Sequence, residues 1–278
     1  MVQGDALVLG GGGVTGVAWE TGVLAGLSEA GLDLSNADLL VGTSAGAAVA
    51  AQLASGTPLA TLLERQLAGS AQETPATLGP AVLARYLWAM LTRRDPAEFG
   101  QAMGRLALGA RTIDEAERLA VIASRLPSHE WPGPLQVTAV NARTGAFRVF
   151  TRDDGVALVD AVAASCAVPG VWPPVSLEGQ KWIDGGMRSA VNADLAAGRA
   201  RVVILAPITT GFGAMPPVDQ QAAALRAAGS AVVVVCPDRD ARSRMGRNSL
   251  DPARRPAAAQ EGHRQAALEL DRVAAIWR

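Results

Sequence analysis

Near the N-terminus of this chain two strand–turn–helix units stand close together, and both turns are framed by glycine. Gly11-Gly12-Gly13-Val14-Thr15-Gly16 follows the apolar stretch Ala6-Leu7-Val8-Leu9, and Gly42-Thr43-Ser44-Ala45-Gly46 follows Leu39-Leu40-Val41. A strand that passes through a glycine-rich turn into a helix leaves backbone N–H groups pointing at empty space, which suits an anion. In the second turn, a strained elbow between strand and helix would push the Ser44 hydroxyl into the open. One turn offers a nucleophile and the other offers donors for negative charge. Together they point to acyl transfer.

The rest of the chain continues the alternation. Strands are expected at 5–9, 38–41, 135–140, 147–150, 181–183, 202–206 and 231–235, and helices at 17–30, 45–54, 156–165 and 256–276. Residues 57–126 read as a helical insert interrupted at Pro75, Pro80 and Pro96, and Arg239 to Arg255 reads as an arginine-rich surface loop. Strands alternating with helices predict an α/β fold, a largely parallel central sheet with helices on both faces, in one domain over 1–278. Ligands in such sheets bind beyond the carboxyl ends of the strands, where both glycine turns should lie.

Composition removes several function classes. The formal net charge is −1, whereas a nucleic-acid binder carries a basic stripe, so no nucleic-acid partner is expected. No apolar run approaches the roughly 18 residues of a spanning helix, and the start Met1-Val2-Gln3-Gly4-Asp5 lacks a basic leader. A soluble, unprocessed cytoplasmic protein is the expectation, at most peripheral to a membrane. Cys166 and Cys236 lie in apolar surroundings and read as buried free thiols. No His/Cys/Asp cluster has ligand spacing, so neither metal nor cofactor is expected.

Serine attacks a carbonyl only when a base takes its proton and donors stabilise the resulting oxyanion. The amides of Gly11, Gly12 and Gly13 can turn toward one point, and Ala45 directly after the serine adds another. Losing one such donor typically costs about 3–4 kcal/mol of barrier. The base has more candidates. His129 lies in a loop-like Pro-Ser-His-Glu-Trp-Pro stretch, and His263 in the polar C-terminal helix; both read as surface histidines. Asp184 leaves a short strand in Trp182-Ile183-Asp184-Gly185-Gly186, and the two glycines let the backbone fold back toward another loop. In isolation Asp-Gly-Gly would be no more than an Asx-type turn.

With these motifs in order, the sequence resembles the patatin-like phospholipase family. That family carries a glycine-rich oxyanion loop, a Gly-x-Ser-x-Gly elbow and a later Asp-Gly-Gly or Asp-Gly-Ala. Here they stand as Gly11 to Gly16, Gly42 to Gly46 and Asp184 to Gly186. Ala164-Ser165-Cys166-Ala167-Val168-Pro169, continuing to Pro173-Pro174-Val175, is similar to the segment the family places before its aspartate. The resemblance implies a three-layer patatin-like fold and a dyad in which Ser44 attacks an ester carbonyl and Asp184 serves as base. It implies a lipid or small ester as substrate. Where the family usually has arginine or lysine this chain has Thr15, which removes a positive charge near the oxyanion loop.

Other readings compete. Gly11-x-Gly13-x-x-Gly16 is also the dinucleotide fingerprint, but the second strand runs into Gly42-Thr43-Ser44 rather than ending in an acid. An α/β-hydrolase with a Ser44-Asp184-His263 triad has the right residue order, yet its serine should follow several strands. A catalytically idle lipid-binding protein is the non-enzyme alternative. Residues 82–91, with Trp88 and the following Arg93 and Arg94, make a mostly apolar helix. It is either a buried helix of the insert or a segment that borders an acyl pocket and transiently touches a membrane surface.

Overall fold

The computed structural model describes residues 3–69, 76–211, 213 and 215–277. The elements run β1 (Asp5–Leu9), α1 (Gly13–Glu29), β2 (Leu39–Gly42), α2 (Ala45–Ala54), α3 (Leu59–Leu67), α4 (Pro80–Thr92), α5 (Pro96–Leu108) and α6 (Glu115–Arg125). They continue through β3 (Leu135–Asn141), β4 (Phe147–Phe150), α7 (Leu158–Ser165), β5 (Val175–Leu177), β6 (Gln180–Asp184) and β7 (Arg201–Leu205). The last are α8 (Val218–Ala227), β8 (Ala231–Val235), α9 (Arg239–Met245) and α10 (Arg255–Trp277).

The strands form one eight-stranded sheet whose bonded path is β5-β6-β3-β2-β1-β7-β8, with β4 also paired to β3. β3, β2, β1, β7 and β8 are mutually parallel, and β4, β5 and β6 are attached antiparallel. The sheet is therefore mixed, more so than the alternation of elements suggests, because the short hairpins around β3 need no helical crossover. β1 is buried on both faces. Leu7 and Leu9 pack toward α1, α2 and α10, while Ala6 and Val8 pack toward α8. That is why its sequence reads as a continuous apolar run rather than an alternation.

Several boundaries differ from the sequence expectation for identifiable reasons. α1 starts at Gly13 rather than at 17, since the glycines form the first helical turn as well as the loop. Pro80 and Pro96 begin α4 and α5 instead of interrupting a helix, because proline lacks only an N–H that the first turn leaves unused. Asp95 and Asp114 cap α5 and α6 with their carboxylates. The interruption expected at Pro75 falls outside the described residues. The segment from Arg239 to Arg255 is no surface loop. It holds α9 and a tight turn at Pro252–Arg254, with Ala241, Met245 and Leu250 buried. Among the described residues, no helix is long and apolar enough to cross a membrane.

α1 and α10 cross almost backbone to backbone. A Cβ on Gly22 would lie 2.2 Å from the Ala259 carbonyl oxygen, and one on Gly262 would lie 2.2 Å from that of Trp19. The crossing anchors the helix that follows the first glycine turn. Gly262→Val is expected to force the helices apart and lower stability by about 3 kcal/mol, read as a shifted urea midpoint with an unchanged slope.

Candidate active site

Both halves of the site leave the ends of buried strands. β2 stops at Gly42, and the chain turns through Thr43 and Ser44 into α2. Ser44 takes φ 53° and ψ −115°, a conformation that costs a non-glycine residue about 1–3 kcal/mol. Its surroundings impose this shape. The Ser44 N–H donates to Ser165 Oγ at 2.9 Å, and Cys166 Sγ donates to the Ser44 carbonyl at 3.1 Å. Adjacent residues at the end of α7 thus hold both backbone groups of one serine. Gly46 has no room for a side chain, since a Cβ would lie 2.0 Å from the Leu9 carbonyl oxygen.

β3 brings the second half into place. Gly42 faces Val137 on this strand, and Asp184, the last residue of β6, faces Ala139 two residues further on. Ser44 Oγ donates to Asp184 Oδ2 at 2.6 Å, while the Gly186 N–H donates to Oδ1 at 2.7 Å. The carboxylate therefore makes its Asx-type turn with one oxygen and meets the serine with the other. Asp184 is 2% exposed. Burial raises its pKa to about 7, against the opposing pull of the bonds from Ser44 and Gly186.

A buried polar layer supports this pair. Thr138 Oγ1 donates to Thr43 Oγ1 at 3.0 Å, and Asn192 Nδ2 donates to Thr43 Oγ1 and to the Ser189 carbonyl at 3.0 Å each. Asn192 sits at φ 49°, a left-handed conformation that asparagine tolerates better than most residues. Gly185 lies directly over Thr138, where a Cβ would be 2.2 Å from the hydroxyl oxygen. That contact explains the glycine after the aspartate.

The glycine-rich loop faces the same point with one change from expectation. The Gly11 N–H donates to the Ala190 carbonyl at 2.7 Å, so it is spent within the protein. The amides of Gly12, Gly13 and Ala45 donate to no described residue. They stand where α1 and α2 begin, and a helix N-terminus favours negative charge. Gly16 and Gly42 pack these turns together: a Cβ on Gly16 would touch Ala45 Cβ at 3.5 Å, and one on Gly42 would lie 2.5 Å from Ala47 Cα.

Ser44 and Asp184 open onto a cavity of about 210 Å³. Its walls are mostly apolar and include Leu78, Tyr86, Met90, Phe99, Val168, Met187, Ile208, Met215 and Leu250. The Tyr86 hydroxyl donates to the Pro169 carbonyl at 3.1 Å. Burial, and then the Asp184 charge, hold its phenol above the usual range. Thr15 does not reach this cavity. Its side chain is fully buried, and its N–H donates to the Ser249 carbonyl at 3.1 Å. The arginine-rich 239–255 segment supplies Ser249 and Leu250 to the cavity wall.

Neither histidine lies here. His263 Nε2 pairs with Glu29 Oε2 at 2.8 Å on the outside of the α1–α10 crossing, and His129 Nε2 lies 3.1 Å from the Ala123 carbonyl. Cys166 and Cys236 are free, and burial pushes their thiols up to about 12 and about 11. Cys166 therefore stays protonated and serves as a donor.

A sequence model of the family described as Patatin-like phospholipase matches residues 7–197. The chain belongs to the patatin-like phospholipase family. Membership makes it a hydrolase of lipid carboxylic esters. All four motifs lie inside the matched segment. Among solved structures, it is similar to VipD from Legionella pneumophila, with 14% identity, 98% of this chain and 67% of that one covered, and a TM-score of 0.49. It is also similar to the type III effector protein ExoU, with 18% identity, 98% of this chain and 53% of that one covered, and a TM-score of 0.44. This chain thus spans about half the length of ExoU. No curated protein matches it.

Sequence reasoning did not assign roles to Ser165, Thr138 or Asn192. Ser165 stood in a recognised motif, but nothing in that motif says its hydroxyl accepts from the elbow. Ser165→Ala is expected to leave the Ser44 N–H buried without an acceptor. The outcome is a stability loss of about 1–3 kcal/mol and a fall in kcat with KM little changed, measured by urea unfolding and steady-state ester hydrolysis.

Proposed function

We propose that this protein hydrolyses lipid carboxylic esters through a Ser44–Asp184 dyad, the whole chain with its 57–126 helical insert acting as one acyl hydrolase domain. The observation that carries this reading is the 2.6 Å hydrogen bond from Ser44 Oγ to a buried carboxylate at the floor of an apolar cavity. A general base is most useful when its pKa lies close to the working pH, and Asp184 is raised to about 7. Exclusion of water preserves that basicity for the serine proton.

In the proposed reaction, Ser44 Oγ adds to the ester carbonyl carbon as its proton passes to Asp184. The carbonyl oxygen becomes an oxyanion that accepts from the amides of Gly12, Gly13 and Ala45. Collapse breaks the bond to the leaving alcohol oxygen, which takes the proton from Asp184 and leaves an acyl-Ser44 ester. Asp184 then removes a proton from water, and the hydroxide equivalent adds to the acyl carbon. Ser44 departs with that proton, the fatty acid is released, and both residues return to their starting state. The apolar walls fit an acyl chain in the cavity, which favours phospholipid, lysophospholipid or glyceride esters over small polar ones.

The decisive experiment is hydrolysis of a short and a long p-nitrophenyl ester by four proteins. Ser44→Ala and Asp184→Asn are expected to lose roughly a thousandfold or more in kcat/KM, while His263→Ala retains wild-type rates. Survival of Asp184→Asn together with loss in His263→Ala would overturn the dyad. The pH profile supplies a second check. Because the base must be ionised, kcat/KM should fall about tenfold per pH unit below an apparent pKa near 7 and level off above it. A profile still flat at pH 5 would remove Asp184 from the role.

A further inference from the structure

The apolar helix at 82–91 resolves into something other than a buried helix of the insert. α4 turns Tyr86 and Ala89 inward against Phe99, Met103 and Ile183. Its outer face is also apolar. Leu83, Leu87 and Leu91 are 47%, 52% and 79% exposed, and Trp88 beside them is 68% exposed. The spacing of four places the three leucines on one stripe. A soluble protein rarely shows so many large apolar groups side by side without a partner. Nothing in the core requires them there, since α4 already buries its other side.

Two features specify the partner. The first is charge. Arg85, Arg93 and Arg105 line a groove with Trp88 between α4 and α5, and Arg94 follows. None of these four arginines forms an ion pair with a described carboxylate. Asp95 is occupied in capping α5, which leaves Glu98 as the exposed acid on the adjoining turn. The chain as a whole has a net charge of −1, so this cationic rim is local. The second is position. Tyr86 and Met90 of the same helix line the catalytic cavity, as do the half-exposed Leu78 and Ile208.

We propose that the outer face of α4 is a docking surface for an anionic phospholipid bilayer. Leu83, Leu87, Trp88 and Leu91 enter the interface, and the arginines meet lipid phosphates. Seated this way, α4 lies between the bilayer and the cavity that its Tyr86 and Met90 line, which leaves an acyl chain a short path from bilayer to cavity. The inference rests on the lipid-ester reading above for its purpose, but docking is measurable without turnover.

The test is co-sedimentation of the full chain with phosphatidylcholine vesicles, with and without phosphatidylglycerol, alongside hydrolysis of a soluble short ester. Wild type and Ser44→Ala should both pellet with the anionic vesicles, and added salt should weaken the binding. Trp88→Ala should weaken it roughly tenfold, and Leu87→Asp combined with Leu91→Asp should abolish it. All three substitutions should leave short-ester hydrolysis at wild-type rates. Should the double variant fold poorly, Trp88→Ala decides alone. The proposal fails if wild type ignores anionic vesicles, or if the α4 variants bind as wild type does. It fails equally if ultracentrifugation shows a dimer that the α4 variants dissociate with no change in vesicle binding. Vesicle binding by a wild type that hydrolyses no ester would overturn the dyad and leave the docking surface standing.

Discussion

The site depends on a carboxylate kept almost entirely from water and a serine held against it. In solution, an aspartate is far too weak a base to take a proton from an alcohol. Burial of Asp184 penalises the charged form and brings its proton affinity near neutrality. The same burial would be costly without compensation, and the Ser44 hydroxyl and Gly186 amide provide it. The bond between the two residues thus stabilises the ion and aligns the atom that would attack.

Holding Ser44 in place requires backbone strain, which the neighbouring structure imposes from three directions. The Ser165 hydroxyl and Cys166 thiol fix its peptide groups, and the close packing at Gly46 leaves the turn no other path. Beneath them, Thr43, Thr138 and Asn192 join the elbow, the middle of β3 and the loop after Asp184 in one buried network. Such a network is rigid when every member is satisfied. A change in any member is therefore expected to be felt at Ser44 and Asp184, although none of the three lines the cavity.

The insert has a different relation to the fold. It adds nothing to the sheet, yet α4 and α5 supply one wall of the cavity through Tyr86, Met90 and Phe99. α4 is apolar on its inner side because it covers that cavity, and apolar on its outer side for a reason the fold does not supply. The helix has the cavity on one side and the protein surface on the other. In the proposed docking, its two faces would join the site to the surface from which a lipid arrives.

Much of the architecture was legible in the sequence because it is local. Apolar runs bounded by glycine mark β1, β2 and the helices behind them, and the elbow and Asp-Gly-Gly motifs place Ser44 and Asp184 by residue type and order. The amide donors were legible only as a class: the diversion of Gly11 to Ala190 depends on a loop 179 residues away in the chain. The 239–255 segment looked like surface because its arginines are many, while the burial of Met245 and Leu250 follows from where α9 docks. By itself, the sequence determined which residue types stand in the two glycine turns and in the Asp-Gly-Gly segment, since those are properties of side chains and of short backbone turns. Tertiary structure alone decided that Ser44 and Asp184 touch and that no histidine reaches them. The register of β2 and β6 on β3 sets the first; for the second, the α1–α10 crossing holds His263 on the outside and His129 stays beside the end of α6, and none of these long-range arrangements leaves a local mark in the chain.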